Sequence, residues 1–244
     1  MKLTILGSGG AVPTPRPFCQ CQKCNKARKS GVKRNSSSLY INDIDTIIDC
    51  GEDIADSINR ENIKNIDDIF ITHWHPDHTF GLRTIVEANY DFIQGKAKKQ
   101  ITIHIPQTVY NTLKTQYPAI EFYINIQKTA KLDIIENNKP INIKNITITP
   151  IAYDKTQETF GYKINNTLYA PCDTIALQSY PSNLDLLIHE CPVHVDSEIS
   201  YEQLKQRLNQ AKPKRLILTH FEECETQPDD YECAYDGMVI EISD

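Results

Sequence analysis

A short stretch near residue 75 concentrates side chains that bind metal ions. His73, His75, Asp77 and His78 fall within six residues of one another. Imidazole nitrogen and carboxylate oxygen are ligands for divalent ions such as Zn²⁺, Mn²⁺ or Fe²⁺. The chain has only seven histidines. Three of them beside an aspartate therefore indicate a metal site rather than a chance group of polar surface residues.

A strand must position this motif. Residues 69–71 form an apolar run that predicts a buried strand, and the chain must turn sharply at the proline that follows. Such a turn can direct His73 and His75 toward one ion, and Asp77 and His78 toward a second ion a few Å away. Two ions about 3.5–4 Å apart can clamp a phosphoryl group and activate a water between them. The motif therefore predicts a dinuclear metallohydrolase site.

The spacing His73-x-His75-x-Asp77-His78 resembles the signature of the metallo-β-lactamase-fold hydrolases, and the resemblance extends over nearly the whole chain. Within that superfamily it is closest to the PhnP-type phosphodiesterases. The resemblance implies an α/β fold, a four-layer αββα sandwich. We expect one domain over residues 1–244, with a Cys-rich zinc-binding insert at about residues 16–34.

The cysteine insert is the feature that is similar to PhnP-type enzymes. Cys19, Cys21 and Cys24 lie within a stretch of six residues in a basic loop. A structural zinc takes four ligands of this kind. In the PhnP-type pattern the fourth ligand lies just after the last active-site histidine, and at that place we nominate Cys224, where the family uses histidine. Free thiols are the alternative interpretation.

The resemblance also implies the remaining ligands of the active site. Asp173 matches the carboxylate that bridges both ions, with a helix N-cap as its alternative role. His220 matches the last ligand of the second ion. The histidine that the family places near position 154 is missing, and Asp154 is the nearest usable ligand; a slip of one residue would place Lys155 there, which would repel a cation. Ligation by Asp154 would shift the metal preference from Zn²⁺ toward Mn²⁺ or Mg²⁺.

Catalytic roles are predicted for Asp77, Glu198 and His194. In PhnP-type and tRNA-processing chains a catalytic histidine precedes the next helix, and Glu198 occupies that place here. His194 lies four residues upstream and could substitute for it. The pair His189-Glu190 resembles the His-Glu-Ala-Thr loop of the tRNA 3′-processing branch, but the match covers only two residues.

Periodicity predicts the elements around the motif. Residues 39–41 and 46–49 are expected to form a hairpin. Asp49 lies at the end of this hairpin. It would support the loop that carries the histidine motif by accepting a hydrogen bond from a ligating histidine, or would instead begin the next helix. A helix is predicted over residues 80–92 and a strand over residues 121–125.

Composition limits the partners of the chain. A net charge of −6 gives no electrostatic footprint for duplex nucleic acid, so nucleic acid is an unlikely partner and a small substrate is favoured. We expect no membrane partner, because no apolar run of about 18 residues occurs. We also expect no signal peptide and a cytoplasmic location, where cysteines are thiols or metal ligands rather than disulfides. The oligomeric state stays open, with a homodimer as one option.

Together these features predict a metal-dependent hydrolase with two divalent ions (Zn²⁺ or Mn²⁺) in its active site and one structural zinc. The resemblance implies attack of a metal-activated hydroxide on phosphorus in a small cyclic phosphate or nucleotide. A tRNA 3′-processing-type endoribonuclease is the alternative enzyme. A degenerate member of the fold, which binds nucleotide or metal without catalysis, is the alternative that is not an enzyme.

Overall fold

The computed structural model describes residues 1–177, 179–192, 199–222 and 228–242. The helices of these residues are α1 (Gln22–Ser30), α2 (Ile54–Arg60), α3 (Pro76–Thr79), α4 (Leu82–Glu87), α5 (Gln107–Gln116), α6 (Ile120–Asn125) and α7 (Tyr201–Ala211). The strands are β1 (Lys2–Gly7), β2 (Ser38–Ile41), β3 (Thr46–Ile48), β4 (Asp68–Phe70), β5 (Tyr90–Asp91), β6 (Lys96–Ala97), β7 (Ile101–Pro106), β8 (Ala130–Ile135), β9 (Ile141–Ile143), β10 (Ile146–Ala152), β11 (Phe160–Ile164), β12 (Thr167–Ala170), β13 (Leu186–Glu190), β14 (Arg215–Thr219), β15 (Glu232–Cys233) and β16 (Val239–Glu241). None of these helices is long and apolar enough to cross a membrane.

Two large sheets form the centre of the fold. The first has the strand order β16-β1-β2-β3-β4-β7-β8, and the second has the order β15-β14-β13-β12-β11-β10-β9. Strands β3, β4, β7 and β8 run parallel in the first sheet, and β12, β13 and β14 run parallel in the second. The predicted ligands follow β4, β12 and β14. Each sheet therefore delivers them from the carboxyl ends of its parallel strands, where crevices for ligands commonly form.

The apolar side chains divide into layers. Phe70 of β4 packs in a buried cluster with residues of the second sheet, such as Tyr162 and Ile188. Its neighbours Ile69 and Ile71 point the other way and pack with residues of α2, α4 and α5. A strand that is buried on both faces is apolar at successive positions, as residues 69–71 are. Further apolar clusters join the second sheet to α7.

The predicted hairpin at residues 39–49 is confirmed. Strands β2 and β3 pair antiparallel with Leu39 opposite Ile48. A single turn of 3₁₀ helix, Asn42–Ile44, joins them and ends at Asp45, which has a left-handed backbone conformation. The Tyr40 hydroxyl donates a 2.7 Å hydrogen bond to the carboxylate of Asp45 and so closes the turn.

The helix predicted over residues 80–92 is wrong in its second half. Helix α4 ends at Glu87, and β5 pairs with β6 in a short antiparallel hairpin. The Asp91 carboxylate accepts hydrogen bonds from the backbone amides of Ile93 and Gln94, and Gly95 takes a positive φ of 65°. An aspartate and a glycine at these places favour a turn, and this local chemistry overrides the helical spacing.

The strand predicted over residues 121–125 is also wrong. These residues belong to helix α6, in which Ile120 and Tyr123 are buried and Phe122 is largely exposed. Buried positions three residues apart fit the helical period, whereas a strand would bury every second residue. The segment is too short for its β-branched and aromatic residues to distinguish the two periods.

One carboxylate near the C-terminus ties three distant segments together. Asp236, whose side chain is only 6% exposed, accepts hydrogen bonds from the backbone amide and the hydroxyl of Ser8 at 2.9 and 2.8 Å. It also accepts a hydrogen bond from the backbone amide of Asn35 at 2.8 Å. Burial raises the pKa of Asp236 above its usual value. The residue therefore anchors the loop after β1 immediately before strand β16 begins.

We expect Asp236→Ala to lower the free energy of unfolding by about 2–4 kcal/mol, because each buried donor left unpaired costs about 1–3 kcal/mol. Chemical denaturation would measure the change. Asp43→Ala is the matched control, since Asp43 accepts a hydrogen bond from the backbone amide of Lys2 at an exposed position. That variant should stay within about 0.5 kcal/mol of the parent. Equal losses in both variants would contradict the assigned role of Asp236.

Candidate metal centre

A buried aspartate organises the loop that carries the histidine motif. Asp49 is completely buried and accepts hydrogen bonds from the backbone amide and the hydroxyl of Thr72, both at 2.8 Å. Its Oδ2 also lies 2.8 Å from Nδ1 of His78. The predicted hydrogen bond between Asp49 and a histidine of the motif is confirmed. This contact leaves Nε2 of His78 as the nitrogen that can bind a metal ion.

The first group of ligand atoms comes from both sheets. Nε2 of His73 lies 2.9 Å from Nδ1 of His75 and 3.8 Å from Oδ2 of Asp173. The ligand atoms of these three residues all lie within 4.8 Å of one another. His73 is buried, whereas His75 is exposed and the Asp173 side chain is 40% exposed. One side of this group is therefore open to solvent.

The second group is more enclosed. Asp77, His78 and His220 also place their ligand atoms within 4.8 Å of one another. Oδ2 of Asp77 lies 3.1 Å from Nε2 of His78 and 3.8 Å from Nε2 of His220. Nε2 of His78 is buried and lacks a hydrogen bond with good geometry among the described residues. Two imidazoles and a carboxylate in this arrangement fit a divalent ion. Such an ion would give Nε2 of His78 the partner that it lacks.

The two groups are neighbours. The ring centroids of His73 and His78, one from each group, are 4.2 Å apart. The structure thus brings six predicted ligands into two adjacent groups: His73, His75, Asp77, His78, Asp173 and His220. Their identification as metal ligands stays a prediction, but their donor types and spacing fit two ions.

Three residues of the centre have a backbone conformation that is unusual outside glycine. Asp49, Asp173 and His220 have φ values of 63°, 53° and 59°. Each follows the end of a strand. A left-handed conformation costs roughly 1–2 kcal/mol in a residue with a side chain. Asp173 precedes a single 3₁₀ turn without capping it through its side chain, so its carboxylate is free of the alternative N-cap role. Strained residues of this kind cluster at functional sites.

Electrostatics set the protonation of the centre. Burial would raise the pKa of Asp77, but the neighbouring imidazoles of His220 and His78 outweigh it and hold that pKa well below its usual range. Burial lowers the pKa of His73 well below its ordinary value, and His78 and His75 add to the effect. Asp77 is therefore ionised and His73 neutral, which are the forms that bind metal ions.

Two side chains hold the loop that carries Asp173. The carboxylate of Glu190 accepts hydrogen bonds from the backbone amide, at 2.9 Å, and the hydroxyl of Thr174. The guanidinium of Arg207, on α7, donates to the carbonyl oxygens of Thr174 and Ile175. Sequence reasoning singled out Glu190 only through a two-residue resemblance and missed Arg207. An arginine on a helix gives no signal of this contact before the fold is known.

Asp154 is not brought into either group. Its carboxylate accepts hydrogen bonds from the backbone amide and the hydroxyl of Thr156, at 2.9 and 2.6 Å, on an exposed turn. Lys155 is exposed on the same turn. The ligand groups found among the described residues do not include Asp154. Glu198, His194 and Cys224 lie outside the described residues.

The three cysteines of the insert are close together. Cys19, Cys21 and Cys24 place their sulfur atoms within 4.8 Å of one another. Cys21 caps helix α1 by accepting the backbone amide of Cys24 at 3.4 Å. This hydrogen bond and that from Cys19 lower the pKa of Cys21 to about 7. The insert therefore offers three of the four sulfur ligands that the predicted structural zinc needs.

Comparisons with known proteins extend these observations. A family model described as "Anti-Pycsar protein Apyc1" matches residues 26–238. A ribonuclease Z of Clostridium tetani is 24% identical, and the match covers 94% of this chain and 91% of the relative. Other ribonuclease Z relatives are longer, and the chain spans about half of their length.

Solved structures confirm the fold. A diphosphatase from the PhnP family superposes with a TM-score of 0.77 at 20% identity, covering 99% of this chain and 98% of that one. YhfI of Bacillus subtilis, a metallo-β-lactamase fold protein, superposes with a TM-score of 0.70 at 17% identity, covering 98% and 99%. The chain therefore has the metallo-β-lactamase fold, and the predicted resemblance and fold class are confirmed.

We expect Asp49→Asn to weaken metal binding at the centre by roughly 10–100-fold, because partners that orient a ligating histidine have effects of this size. Titration with a competing chelator would measure the affinity. Asp133→Asn is the matched control, since Asp133 also hydrogen-bonds a histidine, His104, which belongs to none of the ligand groups. Unchanged affinity in Asp49→Asn would contradict its role.

We expect Cys21→Ala to lose about one equivalent of zinc per chain and to destabilise the fold by several kcal/mol, because the binding free energy of a structural zinc is folding free energy. Elemental analysis and thermal denaturation would measure both effects. Cys224→Ala should lose the same equivalent if it is the fourth ligand. Cys233→Ala serves as the control, because Cys233 lies outside the ligand groups. Parent-like zinc content in Cys21→Ala would refute the site.

Proposed function

The chain belongs to the Apyc1 family of anti-Pycsar proteins, and we propose that it is a dinuclear metal-dependent phosphodiesterase that acts on a small cyclic phosphate or nucleotide. The observation that carries this proposal is the pair of adjacent ligand groups built from six imidazole and carboxylate side chains. The relatives with hydrolase names, a ribonuclease and a diphosphatase, support the same class of reaction.

The residues divide the work between two ion positions. His73, His75 and Asp173 would hold one ion, and Asp77, His78 and His220 the other. Two bound divalent ions lower the pKa of water toward neutrality and offset the negative charge of a phosphodiester. Asp49 would orient His78, while Glu190 and Arg207 would hold the loop that carries Asp173.

Exposure indicates where the substrate would enter. His75 is exposed and Asp173 is half-exposed, whereas His73, Asp77 and His78 are buried. Among the described residues, the side of His75 and Asp173 is therefore the more open approach for a phosphodiester. Glu198 or His194 stays the proposed donor of a proton to the leaving oxygen. The acidic balance of the chain favours a small nucleotide over a long polyanion.

Ribonuclease action on tRNA is the second candidate. It is favoured by the Clostridium tetani relative named ribonuclease Z, which matches over nearly the whole chain. The expectation that nucleic acid is an unlikely partner, which rested on net charge, is not supported by this relative. A member of the fold that binds a nucleotide or metal without hydrolysis is the third candidate, and an assay of turnover separates it from the other two.

We expect Asp77→Ala and His220→Ala each to abolish hydrolysis of bis(p-nitrophenyl) phosphate and of a 2′,3′-cyclic nucleotide, because each removes a ligand of the second ion position. Initial rates with saturating Zn²⁺ or Mn²⁺ would measure the loss. Asp43→Asn, a substitution at an exposed residue that belongs to none of the ligand groups, should keep the parental rate. A near-parental rate in either ligand variant would rule out the assigned ligands.

The same protein, assayed with a tRNA precursor, separates the two enzyme candidates. The phosphodiesterase proposal predicts a much higher kcat/KM for the cyclic nucleotide than for the precursor RNA. Specific cleavage at the 3′ end of the tRNA, with little turnover of cyclic nucleotides, would favour the ribonuclease instead. Absence of turnover on every substrate, with metal bound, would favour the binding protein.

A further inference from the structure

The first ion position lacks a buried partner for His73. His75 and Asp173 both lie on the exposed side of the group, so His73 is its only buried ligand. Protein sites for a catalytic zinc commonly supply three ligands, with solvent or substrate completing the shell. Asp154, the residue expected to complete the set, lies on an exposed turn with its carboxylate bonded to Thr156.

A cysteine that sequence reasoning did not consider lies beside this position. Cys172 directly precedes Asp173, is 3% exposed and is not in a disulfide. Its Sγ lies 3.6 Å from Nδ1 and 4.0 Å from Nε2 of His73. The ligand atoms of Cys172, His73 and His78 lie within 4.8 Å of one another, and all three residues are buried.

A second observation concerns His78, which belongs both to the group of Cys172 and to the second ion position. Nε2 of His78 is buried, and it has no hydrogen bond with good geometry among the described residues. Its nearest charged neighbour is Oδ2 of Asp77 at 3.1 Å. A buried nitrogen without a hydrogen bond is costly unless an ion or another group satisfies it. Cys172 therefore belongs to a buried group that shares one histidine with each of the two predicted ion positions.

We propose that Cys172 supplies a thiolate ligand to the ion that His73 and His75 hold, in the place of the histidine that this chain lacks. The inference rests on the proposed two-ion centre. On binding, the thiol proton is released to solvent and the sulfur lone pair forms the bond to the ion, so no oxidant or reductant is needed. The cysteine adds a negative charge where the expected histidine would be neutral.

The chemistry of sulfur determines the metal preference that follows. Thiolate is a soft ligand that favours Zn²⁺, whereas carboxylate and water favour Mn²⁺ and Mg²⁺. A centre that includes Cys172 should thus prefer zinc over manganese at its first position. This preference is opposite to the one that ligation by Asp154 would produce, and the two assignments can be separated by experiment.

Cobalt spectroscopy tests the proposal directly. The protein, stripped of metal and reloaded with Co²⁺, should show sulfur-to-cobalt charge-transfer absorption from the insert cysteines and an additional contribution from Cys172. Cys172→Ser should remove only that additional contribution and should weaken zinc binding at one active-site position by at least about 10-fold, because even partners that only orient a ligand have effects of about 10–100-fold. Cys191→Ser is the matched control, because Cys191 is equally buried but belongs to none of the ligand groups.

Asp154→Ala separates the two assignments. It should leave both the cobalt spectrum and the zinc affinity unchanged, and a loss of one ion in this variant would overturn the proposal. An identical spectrum in Cys172→Ser and in the parent, with two cobalt ions still bound at the centre, would also overturn it while leaving the two-ion proposal intact. Failure of the parent to bind any cobalt beyond the insert cysteines would instead remove the proposed function itself, and this inference with it.

A measurement on the unmutated protein keeps the test independent of the folding of Cys172→Ser. Cadmium NMR of the cadmium-loaded parent should give three signals, because the shift depends strongly on the number of sulfur ligands. One signal should come from the sulfur-rich insert, one from a site with a single thiolate and one from a site with nitrogen and oxygen ligands alone. Two active-site signals without sulfur character would refute the role of Cys172.

Discussion

The buried carboxylate of Asp49 is the contact on which the rest of the centre depends. It hydrogen-bonds the backbone amide and the hydroxyl of Thr72, at the start of the loop that carries the histidine motif. It also contacts the ring of His78 at the other end of the same loop. A charge with no exposed surface is stable only when it is fully hydrogen-bonded. Its own positive φ shows that the backbone accepts strain to place the carboxylate there.

The protonation of the centre follows from this arrangement. Burial alone would lower the pKa of His78, but Cys172 and Asp49 raise it well above its ordinary value. Burial would likewise lower the pKa of His220, but the nearby carboxylate of Asp77 raises it instead. A divalent ion would take the place of the protons on these nitrogens, so metal binding at this centre should release protons.

Sequence reasoning succeeded where one local rule decided the outcome. The buried strand at residues 69–71 followed from periodicity, and the hydrogen bond of Asp49 to the motif followed from the chemistry of ligating histidines.

The helix predicted over residues 80–92 failed because Asp91 and Gly95 form a turn that outweighs the apolar spacing. Position 154 shows a different limit of sequence reasoning. Distance along the chain to a family motif suggested a carboxylate ligand, whereas the fold turns that carboxylate toward Thr156. Contacts between distant segments, such as that of Arg207 with the Asp173 loop, cannot be read from spacing at all.

The predicted ligands come from both sheets, and this distribution would link metal binding to the packing of the sandwich. His73 follows β4 of the first sheet, and Asp173 and His220 follow strands of the second. Direct hydrogen bonds already join the sheets beside the centre, since the amide of Phe160 donates to the carbonyl of Thr72 at 3.0 Å and the hydroxyl of Tyr162 donates to that of Ile71 at 2.6 Å. An ion held by residues of both sheets would add to the same contact and would stabilise only the folded arrangement. The edge that carries the predicted ligands is therefore also a place where the two sheets are held together.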